Sequence, residues 1–288
     1  MKHQQQLKKL PSLLQVYRKI LFSRKPGWDG KLMPNISVSL PQWKGDSVKV
    51  ERYSRVCQFD HNAQYLPVTY LYTQVFRLHA IIFTNPAITI PLWGMIHLRN
   101  EIEQYRDIGF DETLRLECHL TESQVTDNGL EFELLSQAYA GQDLVWQAKS
   151  IYLYKSAQAK AKRVRPPRAS GMTWDPIGQW PLQASLGREY ASASGDYNLI
   201  HIHPILAKQF GFDKILAHGM WSKGRCVAAL PEQYRSGACK ISVEFKLPLF
   251  LPAEVSFGFE PNNDGCHFEL RDGRGRRPHL VGQVERLN

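Results

Sequence analysis

With 288 residues, 43% of them hydrophobic, the chain can bury a sizeable core and exceeds what one small unit needs, so two domains are expected. A formal charge of +9 favours anionic partners, but no recognised nucleic-acid module or aromatic-interleaved basic strand accompanies it, which argues against a specific nucleic-acid function. The five cysteines, Cys57, Cys118, Cys226, Cys239 and Cys266, are scattered and form no Cys-x-x-Cys pair, which argues against a disulfide framework and predicts reduced thiols in the cytoplasm.

Residues 1–30 read as a basic N-terminal extension: Lys2, Lys8, Lys9, Arg18, Lys19, Arg24 and Lys25 precede the first acid, Asp29. Leu10, Leu13, Leu14, Tyr17 and Leu21 recur at helical spacing, while Pro11 argues against one uninterrupted helix. Such a helix packs its apolar face on the body, the ordinary fate of amphipathic segments; the alternative is a weak contact with an anionic membrane surface. Lys9, Pro11, Arg18 and Lys19 break the first apolar stretch, so no secretory signal is expected.

Residues 31–154 form a first domain in this reading. Asp60-His61-Asn62 sets an acid and a base side by side and reads as a surface loop. The apolar stretches 66–83 and 91–102 offer helical or buried material, and Asn85, Pro86 and Pro91 make the region a poor membrane span. Leu114, Leu116, Cys118 and Leu120 then alternate with polar residues, and 130–134 and 144–154 add two strands, with Asp127-Asn-Gly129 and Gly141-Gln-Asp143 as turns. Residues 155–170, rich in Lys, Arg and Pro and free of acids, read as an exposed basic linker.

The second domain, 171–288, carries the chemistry. Ser194-Gly195-Asp196 is loop sequence, and Pro204 suits the first turn of a helix through Ile205, Leu206 and Phe210 that Gly211 ends. A second helix starts at Gly219, with Met220, Gly224 and Val227 on one face and no breaker before Pro231. Strands follow at Ile241 to Leu247, Val255 to Phe259, His267 to Leu270 and Leu280 to Glu285, and the arginine-rich stretch Arg271 to Arg277 reads as a solvated hairpin turn. Asp196 and His201 flank one loop, and both side chain types are readily tuned to exchange protons near neutral pH. The first N–H groups of a helix opening at His218-Gly219 are unpaired and lie at its positive end, suited to a developing oxyanion. This set suits addition of water to a polarised double bond. His201, His203, His218 and Asp196 nominally offer metal ligands too, but their spacing matches no structural zinc site and no metal is expected.

The residues from Tyr190 to Gly219, with Ser-Gly-Asp-x-Asn-x-Ile-His, Gly211-Phe212 and Ile215-Leu-Ala-His-Gly-Met220, and further Phe245-Lys-Leu-Pro-Leu-Phe250, resemble the MaoC-like dehydratases, which include the (R)-specific enoyl-CoA hydratases. The resemblance implies an α+β hotdog fold, a curled antiparallel sheet wrapped round a central helix. Because both halves show the same element order, it further implies a tandem double hotdog whose N-terminal unit has lost the catalytic motif and shapes the acyl-tail pocket. It implies a reversible hydro-lyase acting on trans-2-enoyl and (R)-3-hydroxyacyl thioesters of CoA or acyl carrier protein in fatty acid metabolism, without a cofactor. Asp196 and His201 would act on water, one taking its proton and the other serving the α-carbon. Asn198 would fasten the loop and the Gly219 amide would form the oxyanion hole. Tyr197, His203, His218 and Ser222 stand near enough in sequence to support the site or touch substrate. The family's proline after the asparagine is Leu199 here, its aspartate two places after the histidine is His203, and its central-helix serine has no clear counterpart beyond nearby Ser222. Rival readings are a non-catalytic acyl-thioester or carrier-protein binding module and a hotdog thioesterase. The assembly expected is a monomeric pseudo-dimer or a homodimer.

Overall fold

The computed structural model describes residues 3–60, 64–92, 94–155 and 175–287. His61, Asn62 and all of the expected basic linker beyond Lys155 lie outside the described residues. In chain order come β1 (His3–Gln6), α1 (Leu13–Phe22), β2 (Ile36–Lys44), α2 (Ser47–Cys57), α3 (Leu71–Phe83), β3 (Met95–Gln104), β4 (Thr113–Thr126), β5 (Gly129–Ala140) and β6 (Asp143–Lys155). The second half continues with β7 (Gly178–Leu182), α4 (Leu186–Ser194), α5 (Leu199–Ile202), α6 (Pro204–Gln209), α7 (Gly219–Ala229), β8 (Cys239–Phe245), β9 (Ala253–Pro261), β10 (Gly265–Asp272) and β11 (Pro278–Arg286).

The described strands join in one sheet ordered β1-β2-β4-β5-β6-β3-β8-β11-β10-β9-β7. Read inward from either end, β2-β4-β5-β6-β3 and β7-β9-β10-β11-β8 are the same topology, so the two halves are related by a pseudo-two-fold and meet where β3 pairs antiparallel with β8. This is a double hotdog: α3 packs on β2 and β4 of its half, and α7 on β10 and β11 of the other. Among the described strands, β1 alone departs from this order, adding a parallel edge strand to β2.

Strand patterning fixes which face each half-sheet buries. Leu114, Leu116, Cys118 and Leu120 point inward from β4, Leu130, Phe132 and Leu134 from β5, and Leu280 and Val284 from β11, all almost wholly buried. Period-two alternation puts such residues on one face, and each buried Leu or Phe contributes about 1.5–3 kcal/mol. Gly282 stands opposite Phe268 in the β10–β11 register, and the Phe268 ring fills the space where a Cβ would go. The two units share one core cluster rather than two, containing Leu78 and Ile82 of α3 with Val227 of α7.

A lysine stitches the seam. Lys223 of α7 is wholly buried and donates to Asn100 Oδ1 (2.6 Å), Asn100 O (3.2 Å) and Ile241 O (2.9 Å), reaching β3 and β8 together. With every ammonium proton placed, the group is satisfied without a contacting carboxylate, although burial holds its pKa well below the usual lysine range.

Three expectations change. The stretch 91–102 is not helical: β3 begins at Met95, and its N-terminal residues before Asn100 are only partly covered. The helix in the N-terminal extension starts after Pro11, where Ser12 and Gln15 form a capping box, and it buries Val16 and Ile20 against Ala80 while Leu14 and Leu21 face outward. Of the residues expected on the packed stripe, Leu10, Leu13 and Tyr17 are half-buried while Leu14 and Leu21 are exposed, because contact with α3 rather than leucine content decides the packed face. Arg271 is not solvated: it is buried and its Nε donates to Glu269 Oε2 at 2.6 Å. All five cysteines are buried and free.

Candidate active site

The site gathers at the mouth of the second unit, where α4 ends, α5 crosses and α7 begins. Gly195 ends α4 in the left-handed region (φ 81°), with its N–H on Ala191 O, and this turns the chain so that Asp196 leaves the helix. The Asp196 N–H donates to Ser194 Oγ (3.1 Å), and its own Oδ1 accepts from the Asn198 N–H (3.1 Å). Asn198 caps α5, its Oδ1 accepting from the Ile200 N–H (3.5 Å). The short helix that follows therefore presents His201 in a fixed position. Gly187 of α4 lies under it: a Cβ there would run into the His201 carbonyl oxygen.

Ring contacts bring the two histidines together. His201 and His218 lie with centroids 3.8 Å apart and planes tilted by 31°. His201 Nδ1 is 2.9 Å from Leu216 O, and because a carbonyl can only accept, Nδ1 carries the proton and Nε2 is left bare. By the same argument His218 Nε2 donates to Asp196 O (2.9 Å), which puts its second, unpartnered nitrogen, Nδ1, in the deprotonated form. His218 Nε2 is also 4.0 Å from Asp196 Oδ2. This is not an ion pair near neutral pH, since burial pushes His218 down to about 4. Burial, with neighbouring His218 adding to it, likewise pushes His201 down to about 3, so both imidazoles are neutral. Asp196 moves the other way, raised by burial against the opposing pull of His201 and the Asn198 amide. Its side chain retains 25% exposure and is open to a reactant.

Above this pair, α7 starts at Gly219 with no side-chain cap. Its first amides are therefore held at the positive helix end without a local acceptor. A Cβ on Gly219 would lie 2.9 Å from Cε1 of Phe245, so an aromatic ring, not open space, makes glycine necessary here. Behind that ring come His97 of β3 (centroids 4.9 Å apart) and Tyr152 of β6, stacked on His97 at 4.5 Å, so the first unit reaches the edge of the site.

A family model described as "MaoC like domain" matches residues 168–283, the stretch holding all of these loop and helix residues. The chain carries a MaoC-like domain. A relative, 3-hydroxyacyl-thioester dehydratase X of Mycobacterium tuberculosis, is 27% identical over 256 residues, 88% of this chain and 91% of that protein. The crystal structure of the same protein, HtdX, superposes with a TM-score of 0.77 at 25% identity, covering 87% of this chain and 100% of that one. A MaoC-like dehydratase from Phytophthora capsici shares the fold at 18% identity and TM-score 0.68, covering 94% of this chain and 97% of its own. A further Mycobacterium tuberculosis protein, described as a double hotdog, does so at 9% identity and TM-score 0.56, over 86% and 93% of the two chains.

Within the MaoC-like domain, Asp196, Asn198, His201, His218 and Gly219 converge as their spacing suggests. Ser222 lies one turn into α7, buried, with its Oγ on His218 O (3.4 Å). Tyr197 joins through its backbone, while His203 is exposed at the α5–α6 junction. Three further participants stand outside the site residues expected from sequence. Tyr190 packs its ring on His218 (4.8 Å), Gly187 admits the His201 backbone, and Tyr17 reaches the loop from the far N-terminus. Only the last two-helix step, glycine at α4 beneath α5, has a local clue, a glycine inside an otherwise helical run.

Proposed function

We propose that the chain is a hydro-lyase that reversibly hydrates trans-2-enoyl thioesters to (R)-3-hydroxyacyl thioesters in fatty acid metabolism, with Asp196 and His201 as its catalytic pair. The observation that carries the reading is the state of His201. Its one ring proton is committed to Leu216, which leaves Nε2 an acceptor able to receive a hydrogen bond from the reacting water. The division of labour expected from sequence, one residue for each proton transfer, shifts accordingly: His201 orients water and Asp196 handles the proton. The water oxygen bonds to the β-carbon as one of its protons passes to Asp196, the other remaining on the new hydroxyl. The π electrons move toward the thioester oxygen, where the Gly219 amide stabilises the enolate. Asp196 then returns its proton to the α-carbon on the same face, a syn addition in which Asp196 ends as it began.

Several features support the finer assignments. The stack Tyr152, His97 and Phe245 supports a first unit, residues 31–154, that shapes the acyl-tail pocket of a catalytic unit spanning 171–288. No cofactor enters this sequence of steps. The net charge supports the phosphates of CoA or an acidic acyl carrier protein as the handle on the substrate. Among the described residues no helix is long and apolar enough to cross a membrane. The outward Leu14, Leu21 and Phe22 beside Arg18 and Lys19 support at most a weak membrane-surface contact by a protein working in the cytoplasm as a monomer or homodimer.

Loss of the conjugated enoyl-thioester absorbance with crotonyl-CoA and a longer-chain analogue tests the reading. Asp196→Asn and His201→Ala should each lower turnover by roughly 10²- to 10⁴-fold, the range for a positioned proton-transfer group. Wild-type rates in both variants would reject the assignment, and release of free thiol before hydration would mark a thioesterase instead.

A further inference from the structure

We infer that Tyr17, on the N-terminal helix α1, is a positioning residue that clamps the peptide groups on both sides of Asp196 and so fixes the aim of its carboxylate. The inference rests on the catalytic role proposed for Asp196. The Tyr17 hydroxyl donates to Gly195 O (3.1 Å) and accepts from the Tyr197 N–H (2.6 Å), so its donor and an acceptor site are engaged at the two residues that flank Asp196. A phenol suits this double duty because one oxygen both gives and receives. Burial and the nearby Asp196 charge push its pKa well above the usual tyrosine range, which keeps the hydroxyl protonated.

The contact is built, not incidental. The Tyr17 and Tyr197 rings meet edge to face, centroids 5.9 Å apart and planes at 89°. Leu13, one turn earlier, sets a methyl 2.7 Å from where a Gly195 Cβ would stand. Val16 and Ile20 seat α1 against Ala80 of α3, so the phenol is held by the first unit while it grips a loop of the second. The opposite side of the same loop is fixed by His218 on Asp196 O and by Ser194 Oγ on the Asp196 N–H. Without Tyr17 the loop is held from one side only. The N-terminal extension is thus part of the active site's scaffold rather than an appended tail.

Tyr17→Phe keeps the ring contacts and removes both hydrogen bonds. With crotonyl-CoA, kcat should fall about 10- to 100-fold, the scale of a misplaced reacting group, while KM stays within about two-fold. The decisive comparison is a cycle with Asp196→Asn. If Tyr17 acts through Asp196, Tyr17→Phe costs little further turnover in the Asp196→Asn background; a general loosening of the fold would multiply into both backgrounds. Thermal unfolding of all four proteins separates lost stability from lost aim. Wild-type kcat in Tyr17→Phe, or full multiplicativity in the cycle, overturns the inference while leaving the proposed chemistry standing. Undiminished turnover in Asp196→Asn overturns the chemistry itself.

Discussion

At the scale of single residues, burial reverses the ordinary titration order of the two groups at the candidate site. Burial favours the neutral form of each, which lowers His201 and raises Asp196, and the Leu216 carbonyl then selects the His201 tautomer. The pH dependence follows. His201 stays neutral down to about 3, so it does not set the acid limb of kcat/KM; in the proposed chemistry Asp196 does, because there it must be ionised to take the water proton. The limb is expected above the ordinary aspartate value, 3.8. A pH–rate profile with crotonyl-CoA checks this, and a limb that disappears in His201→Ala but survives in Asp196→Asn would contradict it. Asp196 and His201 are legible as a couple because their spacing lies within one loop. The tautomer is not, because Leu216 reaches His201 only after the chain has passed through α6 and turned back.

At the scale of elements, small residues decide how closely helices approach. Gly187 allows α4 to lie against the His201 backbone, and Gly187→Ala must push α5 outward. Turnover is expected to fall by about 10² with little change in secondary structure by circular dichroism, since displacement of a reacting group by ~1 Å has that effect. Gly224 plays a similar part between units: a Cβ there would stand 2.9 Å from Tyr53 Oη and 3.0 Å from Cys57 Sγ, both of α2. Gly224→Leu overpacks this helix contact and should cost about 1–3 kcal/mol in a denaturant titration. In sequence, Gly224 reads as one member of an apolar helical stripe. Its partner helix, α2, lies in the other unit, which no local pattern could indicate.

At the scale of the molecule, the shared core carries histidines that the fold keeps neutral. His79 and His218 are each only 2% exposed, and burial pushes them down to about 3 and about 4. The unfolded chain protonates both near 6.5, so the unfolded state binds more protons between that value and the lowered folded ones. Stability is complete above pH 6.5 and falls as the pH drops toward 4. Between pH 7 and 5 the loss is about 2 kcal/mol for each wholly buried histidine. Melting temperatures across that range test it, and His79→Gln should flatten the dependence. An unchanged melting temperature from pH 7 to 5 would show that these rings are not held neutral.

The local pieces are legible in the amino-acid order: the alternating strands, the Gly195 and Gly219 breaks, the Asp196 to His201 loop and the start of α7 each follow from periodicity or backbone preference within a few residues. Tertiary structure decided the rest. The face of α1 that is buried, the seam held by Lys223, the His201 tautomer and the reach of Tyr17 to Gly195 all depend on groups remote in sequence meeting in space. Their energy lies in desolvation and in hydrogen bonds between those groups, which exist only once the two units have closed on one another.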